Sequence, residues 1–213
     1  SEFLANMSYE LRSPVMSIVN LSQLLMLHEY NSLSDAQKAR IHDLVVATED
    51  LSKLVEDAIE ITTINSGYTQ LEIKEFDMNQ LIREVVSKHK DELDSRNIVC
   101  SFEHDVARAN YRSDKEKMKH AISKLLENSI YRSKDVSKIK IDLRTKDNQY
   151  LLTITDDGPR ADESSSRKSN RSSNGLRYIL ARAIIILLQG KISIQYSVVR
   201  ASTSFIIELP KAA

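Results

Sequence analysis

The sequence predicts an α+β chain in two parts, a helical hairpin over residues 1–68 and an α/β sandwich over residues 69–213. Two observations carry this. Up to Gly67 the apolar residues recur at three- and four-residue steps, the spacing of helices with one buried stripe. Beyond Gly67 they alternate with period two in short runs, the spacing of half-buried strands, and helical stretches interrupt those runs. Strand and helix mix without strict alternation, which favours a layer of strands with helices on one face.

In the first helix, Phe3 to about Tyr30, the stripe is Leu4, Met7, Leu11, Val15, Ile18, Leu21 and Leu25, and Pro14 is expected to kink it. Asn31 to Asp35 supplies turn and capping residues, with Ser34 or Asp35 expected to cap the next helix. So short a connection makes the two helices antiparallel. The second helix carries Ile41, Leu44, Thr48, Leu51, Val55, Ala58 and Thr62 in a heptad-like row and ends near Gly67. One hairpin cannot cover both apolar faces, so the expected assembly is a homodimer whose two hairpins form a four-helix bundle.

The second part opens on a strand-like TQLEIKEF, followed by a helix from Met78 to about Ser95 with Leu81, Ile82, Val85 and Val86 inward. Strands are expected at Val99 to Phe102, Lys138 to Leu143, Tyr150 to Thr155, Lys191 to Tyr196 and Ser204 to Leu209. Helices are expected from Asp114 to Arg132 and from Leu176 to Leu188. The polar stretch Asp162 to Asn174 lacks apolar anchors and reads as a mobile loop.

Composition narrows the function. With 41% hydrophobic residues there is material for a core. Thirty basic residues cancel thirty acidic ones, so no nucleic-acid partner is expected. The single cysteine, Cys100, excludes an internal disulfide and reads as a small buried hydrophobe. The longest apolar stretch, Ala183 to Leu188, is too short to span a bilayer. The chain opens inside a helical pattern, so an upstream sensor, membrane or linker region is expected in the parent protein, with this part in the cytoplasm.

The string FLANMSYELRSPV, Phe3 to Val15, resembles the H-box of sensor histidine kinases, FLAxMSHELRTPL, in nearly every place except Tyr9. Ile59 to Val86 is similar to that family's join between its dimerisation and ATP-binding domains, and the resemblance continues to Pro210. It implies a dimerisation and phosphotransfer hairpin followed by a histidine-kinase-type ATPase sandwich. Tyr9 stands where the family has its phosphoryl-accepting histidine, and Glu10 where it has the residue that orients and deprotonates the acceptor.

That exchange removes the nucleophile. A histidine of pKa about 6.5 offers a lone pair near neutral pH, whereas a tyrosine of pKa about 10 stays protonated. Phosphotyrosine is also an ester, a poorer donor to aspartate than a phosphoramidate. None of His28, His42, His89, His104 and His120 sits in an acceptor-like motif.

The nucleotide motifs are altered too. Asp114 to Ser133 resembles the family's N-box and keeps Asn128 at the magnesium-binding asparagine, but has Lys124 at an earlier asparagine and Tyr131 at a phosphate-facing lysine. Ile154 to Ala161 resembles the G1 box and keeps Asp156, for the adenine amine, and Gly158, with Arg160 at the second glycine. Gly175 to Gly190 resembles the G2 box with Arg177 at a glycine, and the last box reads RAST, with Arg200 and Ser202 at its glycines. Glycine serves beside phosphates because the backbone can come close. Three arginines and a serine fill that space, although arginines can also grip phosphates through forked hydrogen bonds.

The resemblance therefore implies a pseudokinase of the DivL type, which also carries tyrosine at this position. It is a dimeric scaffold with no catalytic residue intact and no ATP or metal expected, with Asn128, Asp156, Gly158 and Gly175 as remnants. Its partner would be a response-regulator receiver domain docking around Tyr9, Ser13, Met16, Ser17, Val19 and Asn20. The alternatives are an active kinase using ATP and magnesium on Tyr9 or another acceptor, and a degenerate histidine phosphotransferase.

Overall fold

The computed structural model describes residues 14–21, 23–25, 33–67, 69–133, 137–158, 171–199 and 201–211, with only the backbone of 171–174. The chain divides into two compact units, Ser1–Tyr68 and Thr69–Ala213.

The first unit is helical, with α1 over residues 14–21 and 23–25 and α2 over Asp35–Asn65. Ser34 caps α2 through a reciprocal box. Its hydroxyl accepts from the Gln37 backbone N–H, and its own N–H donates to Gln37 Oε1 at 2.9 Å. At the other end Gly67 takes a φ of +75°, the left-handed conformation that stops a helix at little cost in a residue without a Cβ.

The expected rows divide between two faces. On α2, Ile41 and Val55 are half-buried and Thr48 is buried, whereas Leu44, Leu51, Ala58 and Thr62 are exposed. On α1, Val15 and Val19 are the buried residues, and Ile18, Leu21 and Leu25 of the expected stripe face solvent. Both helices carry more apolar surface than one hairpin can cover. Leu4, Met7 and Leu11 lie outside the described residues, and a kink at Pro14 would fall on their edge.

The second unit is built from β1 (Ile73–Asp77), α3 (Met78–Lys88), α4 (Lys90–Ser95), β2 (Val99–His104), β3 (Asn110–Asp114), α5 (Lys115–Arg132), β4 (Lys138–Lys146), β5 (Gln149–Asp156), α6 (Arg171–Leu187), β6 (Lys191–Ser197) and β7 (Ser202–Pro210). Five strands form one sheet in the order β2-β4-β5-β7-β6, parallel between β2 and β4 and antiparallel elsewhere. β1 and β3 make a separate antiparallel pair.

Strict alternation gives the sheet one apolar face. Ile139, Ile141 and Leu143 of β4, Leu152 and Ile154 of β5, and Phe205, Ile207 and Leu209 of β7 are all buried. Met78, Leu81, Ile82 and Val85 of α3, Met118, Ile122, Leu125 and Leu126 of α5, and Leu180, Ile184 and Ile185 of α6 are their helical counterparts. Each such side chain contributes about 1.5–3 kcal/mol by leaving water.

Four expectations need correction. The helix expected from Met78 to Ser95 breaks at His89, which has φ −98° and ψ 10° and whose buried ring is drawn to Ser123. Val86 is half-buried rather than inward. The strand β3 was not expected, because NYRSD is polar and only its long-range pairing with β1 makes it a strand. Finally, α6 starts at Arg171, so residues 171–174 of the expected mobile loop are helical, and the loop's remainder, 162–170, lies outside the described residues.

Candidate functional site

The described parts of the nucleotide motifs fall into two clusters, one where the end of β5 meets α5 and the start of β7, the other between α5 and α6. Asp156, the last residue of β5, is fully buried. Its Oδ2 accepts from Ser129 Oγ of α5 at 3.0 Å, and its Oδ1 accepts from the Gly158 backbone N–H at 3.0 Å. Arg132, one turn after Asn128 on α5, brings Nη2 to 3.7 Å from Oδ1 and donates to Thr203 Oγ1 of β7. Burial pushes the Asp156 carboxyl above the usual carboxylate range, against the pull of Arg132 and of the two donors.

Gly158 is required here for steric reasons. A Cβ on it would lie 2.8 Å from Asp156 Oδ1 and 3.0 Å from the Arg132 carbonyl oxygen. Gly175 is different, since a Cβ there would meet no atom within 4 Å.

A second cluster lies between α5 and α6. The Arg177 guanidinium sits 5.1 Å from the centre of the Tyr131 ring, and its Nε is 3.7 Å from Glu127 Oε2. Lys124 Nζ is 3.6 Å from the same carboxylate. Glu127 Oε1 accepts from Ser123 Oγ at 3.4 Å and lies 3.9 Å from His89 Nε2. His89 Nε2 and Ser123 Oγ are 2.7 Å apart, and His89 Nδ1 is 3.7 Å from Glu92, whose carboxyl His89 holds below the usual range despite its partial burial. Lys124, Tyr131 and Arg177, the residues expected at altered motif positions, thus converge on one carboxylate or on each other.

Of the remnant residues, Asn128, Asp156 and Gly158 are buried and Gly175 is exposed. Among the described residues no group of three or more His, Cys, Asp or Glu is placed to hold a metal ion. Tyr9, Glu10, Ser13, Arg160, Arg200 and His28 lie outside the described residues. In α1, Met16, Ser17 and Asn20 are exposed, while Val19 is 9% exposed and turned inward. His42 is exposed on α2, His120 is half-buried on α5, and His104 bonds Arg83 and the Val106 carbonyl.

Sequence reasoning missed Glu127, Ser129, Arg132 and Thr203. Arg132 and Ser129 stood inside the N-box string, where a buried-face position occupied by arginine was the available signal. Glu127 stood in the same string beside Lys124, but its ion-pair partner Arg177 is 50 positions away, and Thr203 gave no signal because its partner Arg132 is 71 positions away.

No helix among the described residues is long and apolar enough to cross a membrane. Residues 1–67 match the His Kinase A (phospho-acceptor) domain, and residues 113–213 match the histidine kinase-, DNA gyrase B- and HSP90-like ATPase. The circadian input-output histidine kinase CikA of Synechococcus elongatus is 21% identical over 99% of this chain and 30% of its own length. The sensor protein DivL of Caulobacter vibrioides is 21% identical over 74% of this chain and 20% of its own length. The chain therefore spans less than a third of each of these relatives. The solved complex of histidine kinase ThkA with the response regulator protein TrrA superposes with a TM-score of 0.67 at 21% identity, covering 99% of this chain and 63% of that one. The two matched domains, a phospho-acceptor-type helical domain over residues 1–67 followed by a histidine kinase-type ATPase domain over residues 113–213, show that the chain belongs to the histidine kinase family.

Proposed function

We propose that this chain is a pseudokinase of a two-component pathway, a dimeric scaffold that binds a receiver domain and neither binds ATP productively nor phosphorylates a histidine. The observation that carries this is the pairing of the altered residues with one another. Tyr131, at a phosphate-facing lysine, and Arg177, at a glycine, stack across the gap between α5 and α6, with Glu127 beside the guanidinium. An arginine committed to a ring and a carboxylate is poorly disposed to grip a phosphate. Asp156, the residue the family uses for adenine, already accepts from two donors and faces a third, buried one. These residues do not fit ATP and magnesium, so no phosphoryl step is assigned to them.

The chemistry of the acceptor agrees. Tyr9 lacks the lone pair of a neutral imidazole, and Glu10 as a base without its nucleophile performs no catalysis. Binding is what remains. The exposed stripe Ile18, Leu21, Leu25, Leu44 and Leu51 supports a second copy packing against the hairpin as a four-helix bundle. Met16, Ser17 and Asn20 leave an accessible surface just past the acceptor position, where a receiver would dock, and Val19 would support that surface from within.

Two measurements test the reading. Titration of a fluorescent ATP analogue with magnesium is expected to show no micromolar binding, and incubation with radioactive ATP no labelled protein; binding together with labelling would restore the active kinase. Receiver domains in both phosphorylation states are expected to include one that is retained by the unaltered chain and released by Met16→Glu. Failure of every receiver to bind would sink the scaffold.

A further inference from the structure

We propose that a cavity between β3, the end of β7 and the end of α6 binds a small organic acid, an apolar body of about one ring that carries a carboxylate. The cavity measures about 250 Å³, and Leu71, Leu187, Leu188 and Pro210 supply its apolar lining. An apolar cavity of about 150 Å³ suffices for benzene, so this one has room for a six-membered ring with a short chain. It lies apart from the Asp156 cluster. Pro210 pairs with Gln149, the first residue of β5, whereas Asp156 is the last, about 23 Å farther on at the rise of a strand.

Three consecutive residues of β3 set the charge of the ligand. Tyr111 and Ser113 line the cavity at 5% and 4% exposure, and neither hydroxyl has a hydrogen-bond partner among the described residues. A buried hydroxyl without an acceptor is costly, so a ligand that accepts hydrogen bonds is favoured there. The Tyr111 ring is held edge-on by Phe76 and Tyr150, with ring centres 6.0 and 6.2 Å away, and keeps its place. Arg112, between the two, also lines the cavity, is exposed and makes no ion pair among the described residues. The strand pairing gives the reason. Its partner across the ladder is Glu75, whose carboxylate instead accepts from Asn110 Nδ2 at 3.0 Å. Asp114, the next residue, is committed to the backbone N–H groups of Glu72 and Lys117. An unpaired guanidinium, two hydroxyls seeking acceptors and an apolar lining together select an anion with an apolar body, and a carboxylate matches the fork of the guanidinium.

The probe is 3-phenylpropionate, offered to the full chain and followed by calorimetry and thermal unfolding. Saturable binding with a dissociation constant below about 1 mM is expected, together with a rise in melting temperature. Arg112→Gln, at an exposed side chain without an ion pair, keeps the fold and should weaken binding by about tenfold or more. Leu187→Trp fills the cavity and should abolish binding. 3-Phenylpropanol, the same body without the charge, and acetate, the charge without the body, should each bind about tenfold more weakly or not at all. Absence of binding to the unaltered chain overturns the proposal. So does binding that Arg112→Gln leaves unchanged, or an alcohol that binds as tightly as the acid. Should Leu187→Trp not fold, Arg112→Gln and the alcohol decide between these outcomes without it. None of these results bears on ATP, so the scaffold reading stands or falls separately.

Discussion

Gly158→Ala tests how tightly the site is closed. The added Cβ would stand 2.8 Å from Asp156 Oδ1, 3.0 Å from the Arg132 carbonyl oxygen and 3.2 Å from its carbon. Ordinary contacts begin near 3.5 Å, so each neighbour must retreat by roughly half an ångström. Neither is free to do so. The carboxylate is held by Ser129 and Arg132, and the carbonyl belongs to the last residue of α5. Overpacking of this kind costs about 1–3 kcal/mol. At about 2–4 °C per kcal/mol for a domain of this size, the melting temperature should fall by about 2–12 °C. Gly175→Ala is the control, since its Cβ meets nothing within 4 Å and it lies inside α6. Alanine is favoured over glycine in a helix interior by about 1 kcal/mol, so this variant should melt higher than the parent. Both are read by thermal unfolding of the full chain followed by circular dichroism. Gly158→Ala melting with the parent, or Gly175→Ala losing as much as Gly158→Ala, would show that the Cβ space at Gly158 is not closed.

Four further outcomes are expected. Ser123→Ala deprives the buried His89 ring of its 2.7 Å partner and should cost about 1–3 kcal/mol in urea unfolding. Ser34→Ala removes the cap of α2 and should cost about 1 kcal/mol, visible as lost helical signal on heating. The Glu84 carboxyl is held below its ordinary value chiefly by Lys119, with Lys115 adding to it against partial burial. Its folded value lies under its unfolded one, so the stabilisation is complete above about pH 4.3 and disappears as pH falls through the folded value. Glu84→Gln should therefore be less stable than the parent at pH 7, by about 0.2–1 kcal/mol for each part-exposed pair, and converge with it in acid. Burial pushes the Cys100 thiol up to about 11, so at pH 8 iodoacetamide should modify the native chain far more slowly than the urea-unfolded one.

Much of the fold could be read from residue spacing, because a sheet with one covered face demands alternation and a surface helix demands a stripe. β4, β5, β6 and β7 each lie within a few residues of their expected places, as does α5. β3 could not be read, since a five-residue polar strand exists only through its pairing with β1. The break at His89 was hidden for a similar reason. Its partner Ser123 is 34 positions away, and no local propensity announces it. On the hairpin, the sequence showed which residues are apolar but not which of them one chain would cover, so Leu44 and Leu51 were grouped with Ile41 and Val55.

The candidate site divides in the same way. By itself the sequence determined the order of the two matched domains, and its motif resemblance set the expectation that Tyr9 stands at the acceptor position and that Lys124, Tyr131, Arg160, Arg177, Arg200 and Ser202 stand at asparagine, lysine and glycine positions of the nucleotide boxes. These follow from residue identity in a linear string, and identity alone decides whether a side chain can act as a nucleophile or leave room for a phosphate. Only the tertiary structure decided what Tyr131, Arg177 and Arg132 touch. It turned Arg177 onto Tyr131 and Glu127, and set Arg132 against Asp156 and Thr203. A buried charge must find its counter-ion wherever the fold brings one, and that choice is made by helix and strand packing between residues far apart in the chain.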